Sequence, residues 1–261
     1  MAAMAPDTSS SEDSDGDVGD VSDFEARMAA WEADQDQSDL EVVFDRASED
    51  QAEATCQRQQ RVWALLAERW ASPEEVEDLK RMKDIIDSAA TSCELDDFGE
   101  LARRPAAVGP KLWIGSKADA ADEHWLAEQQ IQAVLNCTEE ALSPRRQQIY
   151  ERLGLEYMHL AMHDDPSENL AEAVEAARPW LQRMKDQRTL VHCFVGGNRS
   201  VAVVISHLVL DQAMDFWEAL EIVAAARGRV LGSGSFPLQL LRLLVPQPEA
   251  DLQKRSVAEI S

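Results

Sequence analysis

Cysteine is scarce in this sequence. Cys56, Cys93, Cys137 and Cys193 are the four in 261 residues, and no two share C-x-x-C spacing. This excludes a disulfide framework or a zinc-knuckle pattern and points to a reducing compartment. Positive charge is also scarce, with 25 Lys and Arg against 49 Asp and Glu for a net charge of −24. Attraction to a phosphate backbone needs clustered bases, so nucleic acid is not an expected partner. Long apolar runs are missing too. The longest, Val201–Leu210, is interrupted by Ser206 and His207 and is about half of a bilayer span, so no membrane span is expected. The opening Met-Ala-Ala-Met-Ala-Pro-Asp has no basic stretch leading into an apolar one. No secretory leader is expected, and the cytoplasm is the expected location, with the nucleus left open. What is present is a 45% apolar chain, long enough for one domain of about 150 residues plus extra chain, or for two small domains.

The charge is unevenly spread. Residues 1–50 hold sixteen acids and two bases, a net −14, which leaves −10 for the rest. Thr8–Asp23 is mostly Ser, Glu, Asp and Gly with almost nothing to bury, the composition of a disordered acidic tail, here assigned to 1–45. From about Glu49 to Ala89 the spacing turns helical. Val62, Leu65, Leu66 and Trp70 recur at three- and four-residue intervals, and Val76, Leu79, Met82, Ile85 and Ile86 form a second stripe. Ser72-Pro73-Glu74-Glu75 is a helix start, with Ser as N-cap and Pro in the first turn. Two helices with one apolar face each imply a helical extension over 46–100. Its partner is either the rest of the chain or another protein.

Beyond Arg103-Arg104-Pro105 and Gly109-Pro110 the pattern alternates between strand and helix. Leu112-Trp113-Ile114-Gly115, Ile131–Asn136, Tyr157–Leu160 and Leu190–Cys193 are expected strands. Ala120–Gln130, Leu170–Asp186, Arg199–Leu210, Asp215–Arg227 and Phe236–Leu244 are expected helices. This alternation implies an α/β domain over 101–247 with a central, mainly parallel sheet flanked by helices, followed by a short tail at 248–261.

The chemistry concentrates where the fourth strand meets its helix, in His192-Cys193-Phe194-Val195-Gly196-Gly197-Asn198-Arg199-Ser200. A strand, a glycine-bearing loop and a helix N-terminus make an anion site, because loop amides and first-turn N–H groups converge. The spacing from Cys193 to Arg199 lets the chain curl around one tetrahedral phosphate. A guanidinium can then close the ring with two parallel hydrogen bonds. Amides and the helix dipole would activate the thiol beneath.

These residues resemble the H-C-x5-R-S/T signature of the protein tyrosine phosphatase superfamily, in its dual-specificity branch. Cys193, Gly196 and Arg199 meet C-x-x-G-x-x-R. Trp113-Ile114-Gly115-Ser116, Val134-Leu135-Asn136, Asp164–Leu170 and the helical segment Ala219–Leu244 resemble further parts of that branch, so about 108–247 is covered. The resemblance implies a protein tyrosine phosphatase-like fold and a cysteinyl-phosphate mechanism. Cys193 is the implied nucleophile, and Arg199 holds the phosphate with the loop residues Phe194, Val195, Gly196, Gly197 and Asn198. Ser200 assists the thiolate, and His192 orders the loop. Asp164 is the implied general acid by its spacing to Leu170, with Asp165 the alternative and His163 a distant third. No metal or other cofactor is implied, and the implied partner is a phosphorylated protein substrate carrying phosphotyrosine or phosphoserine/threonine. Nothing in the sequence speaks to oligomeric state.

Departures from that pattern are Phe194, Asn198 and Gly232-Ser233-Gly234-Ser235, where small residues, a hydroxyl and Pro-Asn are common. Two other readings stay open: a catalytically weak phospho-binding scaffold, and a phosphatase for non-protein phosphate esters. With an acidic chain, local bases must offset long-range repulsion of the substrate, and Arg145, Arg146, Arg227 and Arg229 are candidates.

Overall fold

Three short, fully buried strands set the centre of the molecule. In the computed structural model, which describes residues 61–69, 71–92, 105–165, 168–228, 230–232 and 236–245, the sheet runs in the order β1-β2-β5-β3-β4. These strands are β1 (Ala106–Ala107), β2 (Leu112–Gly115), β3 (Ala133–Asn136), β4 (Glu156–His159) and β5 (Thr189–His192). Only β1 is antiparallel to its neighbour. Helices cover both faces, as the alternating sequence implies. The acidic segment 1–45, the tail 248–261, and Cys56, Trp70, Cys93, Arg103, Arg104 and Arg229 lie outside the described residues.

Side chains alternate between two cores with the period of two that a strand imposes. Leu112, Ile114, Ala133, Leu135 and Val191 enter the larger core, while Trp113, Val134 and Leu190 enter the smaller one with Leu126, Ile149 and Tyr150. The register aligns Gly115, His192 and Asn136 across β2, β5 and β3. The carboxyl ends of the parallel strands therefore share one edge, where ligands of open α/β sheets bind.

The described part of the helical extension, 61–69 and 71–92, joins the larger core. Residues 61–69 are helical (α1), and α2 spans Pro73–Ser92. Trp63 and Leu66 from α1, with Leu79, Met82 and Ile86 from α2, are buried in one cluster with Phe216, Leu220 and Leu240. The partner is thus intramolecular. α2 begins on a reciprocal cap: the Glu75 N–H donates to Ser72 Oγ at 3.2 Å, and the Ser72 N–H donates to Glu75 Oε2 at 2.7 Å. Arg242 then reaches Glu75 with two donors, Nε at 2.7 Å and Nη2 at 3.3 Å, fastening α2 to the last helix. Burial raises the Glu75 carboxyl, but Arg242 and Ser72 outweigh it and hold it below its ordinary range. Because Met82 is fully buried in the shared core, Met82→Ala should lower the unfolding free energy of the whole chain by about 2–5 kcal/mol in urea titrations. An unchanged midpoint for the sheet-bearing part would show that the extension folds apart from it.

The remaining helices are α3 (Glu123–Glu128), α4 (Pro144–Leu153), α5 (Leu170–Arg183), α6 (Arg199–Gln212), α7 (Phe216–Arg227) and α8 (Phe236–Leu244). Two elements carry almost no sequence signal. β1 is only two residues long, and α4 buries only Ile149 and Tyr150, although Ser143-Pro144 repeats the Ser72-Pro73 start. The helix expected over 120–130 divides into a 3-10 turn at Asp119–Ala121 and α3. Asp122 adopts extended geometry between them and accepts the Trp125 N–H with its side chain. Among the described residues, no helix is long and apolar enough to cross a membrane.

Candidate active site

β5 carries His192 to the ligand-binding edge of the sheet, residues 193–198 turn, and α6 begins directly behind them at Arg199. Gly196 makes the turn. Its φ of +79° and the approach of Gly115 O to within 2.6 Å of where a Cβ would stand leave room only for glycine. Four successive carbonyls are held from outside the loop. The Lys117 N–H donates to Phe194 O at 3.1 Å and the Leu231 N–H to Gly197 O at 2.8 Å. Between them, Arg227 donates Nη2 to Val195 O at 2.8 Å and Nε to Gly196 O at 2.9 Å. With the carbonyls taken up outside, the loop amides are left for the inside, over the start of α6, which is the arrangement of an anion cradle.

Cys193 forms the floor of this cradle. Its Sγ accepts the Gly196 N–H at 3.2 Å and the Ser200 hydroxyl at 3.3 Å. Burial pushes the thiol up. The hydroxyl and N–H of Ser200, the Gly196 N–H and the Arg199 charge outweigh that and hold it below its ordinary value. Cys137, for which the described residues supply no such donor, is pushed far above its ordinary value by the same burial. The two buried thiols are thereby separated into one poised to ionise and one that stays protonated.

Arg199 lies opposite, buried, with Nη1 donating to Met162 O at 3.1 Å. Its Nε is buried without a hydrogen-bond partner among the described residues. A guanidinium donor left unmatched beside a low-lying thiol is costly unless an anion is meant to take it. Two carboxylates face the same group at 3.8 Å: Asp164 Oδ2 to Nη2 and Glu139 Oε1 to Nη1. The Asp165 backbone carbonyl accepts the Glu168 N–H at 3.3 Å. Phe194 and Val195 stand at the rim, 62% and 40% exposed.

Comparison with known proteins gives the family of this domain. The model of the dual specificity phosphatase catalytic domain matches residues 112–244, just over half of the chain. This chain belongs to the dual specificity phosphatase family. Dual specificity protein phosphatase 26 of Bos taurus is 32% identical over 139 residues, covering 52% of this chain and 65% of that protein. Human dual specificity protein phosphatase 9 is 28% identical over 165 residues, covering 59% of this chain and 42% of the relative. The chain therefore spans just under two thirds of the first relative and about two fifths of the second. Among solved structures, human DUSP28 aligns with a TM-score of 0.47 at 23% identity, over 54% of this chain and 92% of that one.

In this dual specificity phosphatase family member the fold brings together Cys193, Arg199, Ser200 and Asp164, with His192 behind them. His163 is exposed beside Glu139 at 3.6 Å and donates its N–H to Glu168 Oε2 at 2.6 Å. Glu139 carries no motif signal, because it reaches Arg199 only when β3 lies against β5. Arg227, a candidate from sequence for offsetting repulsion of the substrate, spends two donors on the carbonyls at the back of the loop. Arg146 likewise donates Nη1 to Ala121 O at 2.8 Å. The segment expected to differ locally near Gly232 is described up to residue 232, and there Leu231, at φ +54°, supports the loop from below.

His192 is nearly sealed from solvent. One ring nitrogen, Nδ1, is 3.3 Å from Cys193 O, and Nε2 has no hydrogen-bond partner among the described residues. Burial pushes its pKa down to about 4, against the upward pull of that one bond. The unfolded chain takes up this proton near the ordinary value of about 6.5, before the folded one does. Stability from His192 is thus complete above that value and declines as pH falls towards 4, by about 3 kcal/mol in total. His192→Asn, which keeps a donor near Cys193 O but cannot titrate, should flatten the slope of urea stability between pH 6.5 and 4. Parallel slopes for the two proteins would contradict a buried neutral imidazole.

Proposed function

We propose that this chain is a protein phosphatase that hydrolyses phosphotyrosine and phosphoserine/phosphothreonine through a cysteinyl-phosphate. The observation that carries this reading is the loop itself: a thiol held below its ordinary value by Ser200, the Gly196 N–H and the Arg199 charge at the bottom of an amide cradle. The Cys193 thiolate attacks phosphorus, forming an S–P bond as the ester P–O bond breaks. Arg199 and the amides of residues 194–198 hold the non-bridging oxygens as charge redistributes. Asp164 gives its proton to the departing side-chain oxygen. It then takes a proton from the water that attacks the phosphocysteine, releasing phosphate and thiolate. The Ser200 hydroxyl, already on Sγ, supports the thiolate as it leaves. The contacts of Asp164 to Arg199 favour it over Asp165 as the acid.

The experiment is inorganic phosphate release by the full chain from phosphotyrosine, phosphoserine and phosphothreonine peptides, beside a phosphoinositide and a phosphorylated glucan. Release from the peptides, lost in the Cys193→Ser protein, supports the proposal. Release only from the non-protein esters, or equal release by Cys193→Ser, overturns it.

A further inference from the structure

Asn198 occupies the N-cap position of α6, where an Asn side chain ordinarily accepts a first-turn N–H. It makes no such cap; its backbone sits at φ −125°, ψ −78°. Instead its Nδ2 crosses the mouth of the loop to the carboxylate of Asp164, 3.3 Å from Oδ1 and 3.4 Å from Oδ2. Leaving the cap unmade spares the first-turn N–H groups, among them the Ser200 N–H that supports the Cys193 thiolate. The contact joins residues 34 apart in sequence, on two loops that share no backbone ladder.

We propose that Asn198 is a positioning residue that holds the Asp164 carboxyl over the loop for proton transfer. This inference rests on the reading of Asp164 as general acid. When Asp164 gives its proton to the leaving oxygen, the charge appears on the two oxygens that Nδ2 faces, so the amide stabilises the state that transfer creates. The Arg199 Nη2 lies 3.8 Å from Oδ2 of the same carboxylate. A hydroxyl at position 198 can cap the helix but is one bond shorter and carries one donor. Capping and acid positioning are therefore separable by substitution.

The test compares Asn198→Ala and Asn198→Ser in the full chain, each also in an Asp164→Ala background. Turnover of phosphotyrosine is read beside turnover of an aryl phosphate whose leaving group needs no proton, and vanadate inhibition reports the integrity of the loop. Both variants should lose about tenfold in kcat for phosphotyrosine, the scale of one hydrogen bond to a developing charge. They should lose little on the activated ester or in vanadate inhibition, and nothing further once Asp164 is alanine. Full activity in Asn198→Ser, an equal loss on both esters, or the same loss persisting without Asp164 would each overturn the inference. Absence of phosphate release by the wild type overturns the phosphatase reading and this one with it. Intact release with unchanged Asn198 variants overturns this one alone.

Discussion

Cys193→Ser should reduce phosphate release below detection while Cys137→Ser leaves it nearly intact. Both thiols are buried and both are free, so burial alone does not separate them. What separates them is the set of donors. Cys193 Sγ has the Gly196 N–H at 3.2 Å and the Ser200 hydroxyl at 3.3 Å, with Arg199 nearby. These hold its pKa low against burial, whereas burial carries Cys137 the other way. Serine cannot form an oxyanion there at neutral pH, and removing a covalent nucleophile costs on the order of 10⁴-fold or more. The phosphate cradle should survive, because its amides and Arg199 are untouched. Cys193→Ser should still bind a phosphopeptide, measured by titration calorimetry. In the wild type the acid limb of the rate profile should fall below the ordinary thiol range, since turnover needs the thiolate and appears as pH rises through the lowered pKa. Peroxide should abolish phosphate release, with reversal by thiols. Equal loss in both cysteine mutants, or substantial residual turnover in Cys193→Ser, would remove Cys193 from the reaction.

Asp164→Asn should cost about 10²-fold or more in kcat for a tyrosyl or alkyl leaving group, within the usual range of about 10²–10⁴ for a general acid. An acid that acts only in the transition state should lower kcat and leave KM nearly unchanged. The deficit should shrink on an activated aryl phosphate, and the basic limb of the rate profile, which requires the protonated acid, should flatten. Asp165→Asn should cost only a few-fold. The geometry behind this difference is specific: Asp164 Oδ2 lies 3.8 Å from Arg199 Nη2 and both its oxygens face Asn198. If the two mutants exchange these behaviours, the acid loop is read one residue out of register. The reaction class would stand, and the positioning role of Asn198 would fall.

Local chemistry made much of this legible in advance. The strand–loop–helix passage at 189–212 announces itself because an apolar strand, a glycine turn and an apolar helix are each short-range features, and the signature from His192 to Ser200 is contiguous. Periodicity placed α5, α7 and α8 for the same reason. The α2 start at Ser72-Pro73 was legible as well, since a cap is decided within four residues.

What the sequence by itself determined, then, was the class of fold and the identity of the loop, since both follow from the order of apolar residues and turn residues along the chain. The tertiary structure decided what meets that loop from elsewhere. Arg227 and Leu231 hold its carbonyls, Glu139 faces Arg199, and Asn198 reaches Asp164. It also decided that α1 and α2 complete the larger core rather than a partner's surface. Each of these contacts joins segments far apart in sequence. Their distances depend on how the strands order in the sheet and how helices pack across it, and no local pattern of residues encodes that.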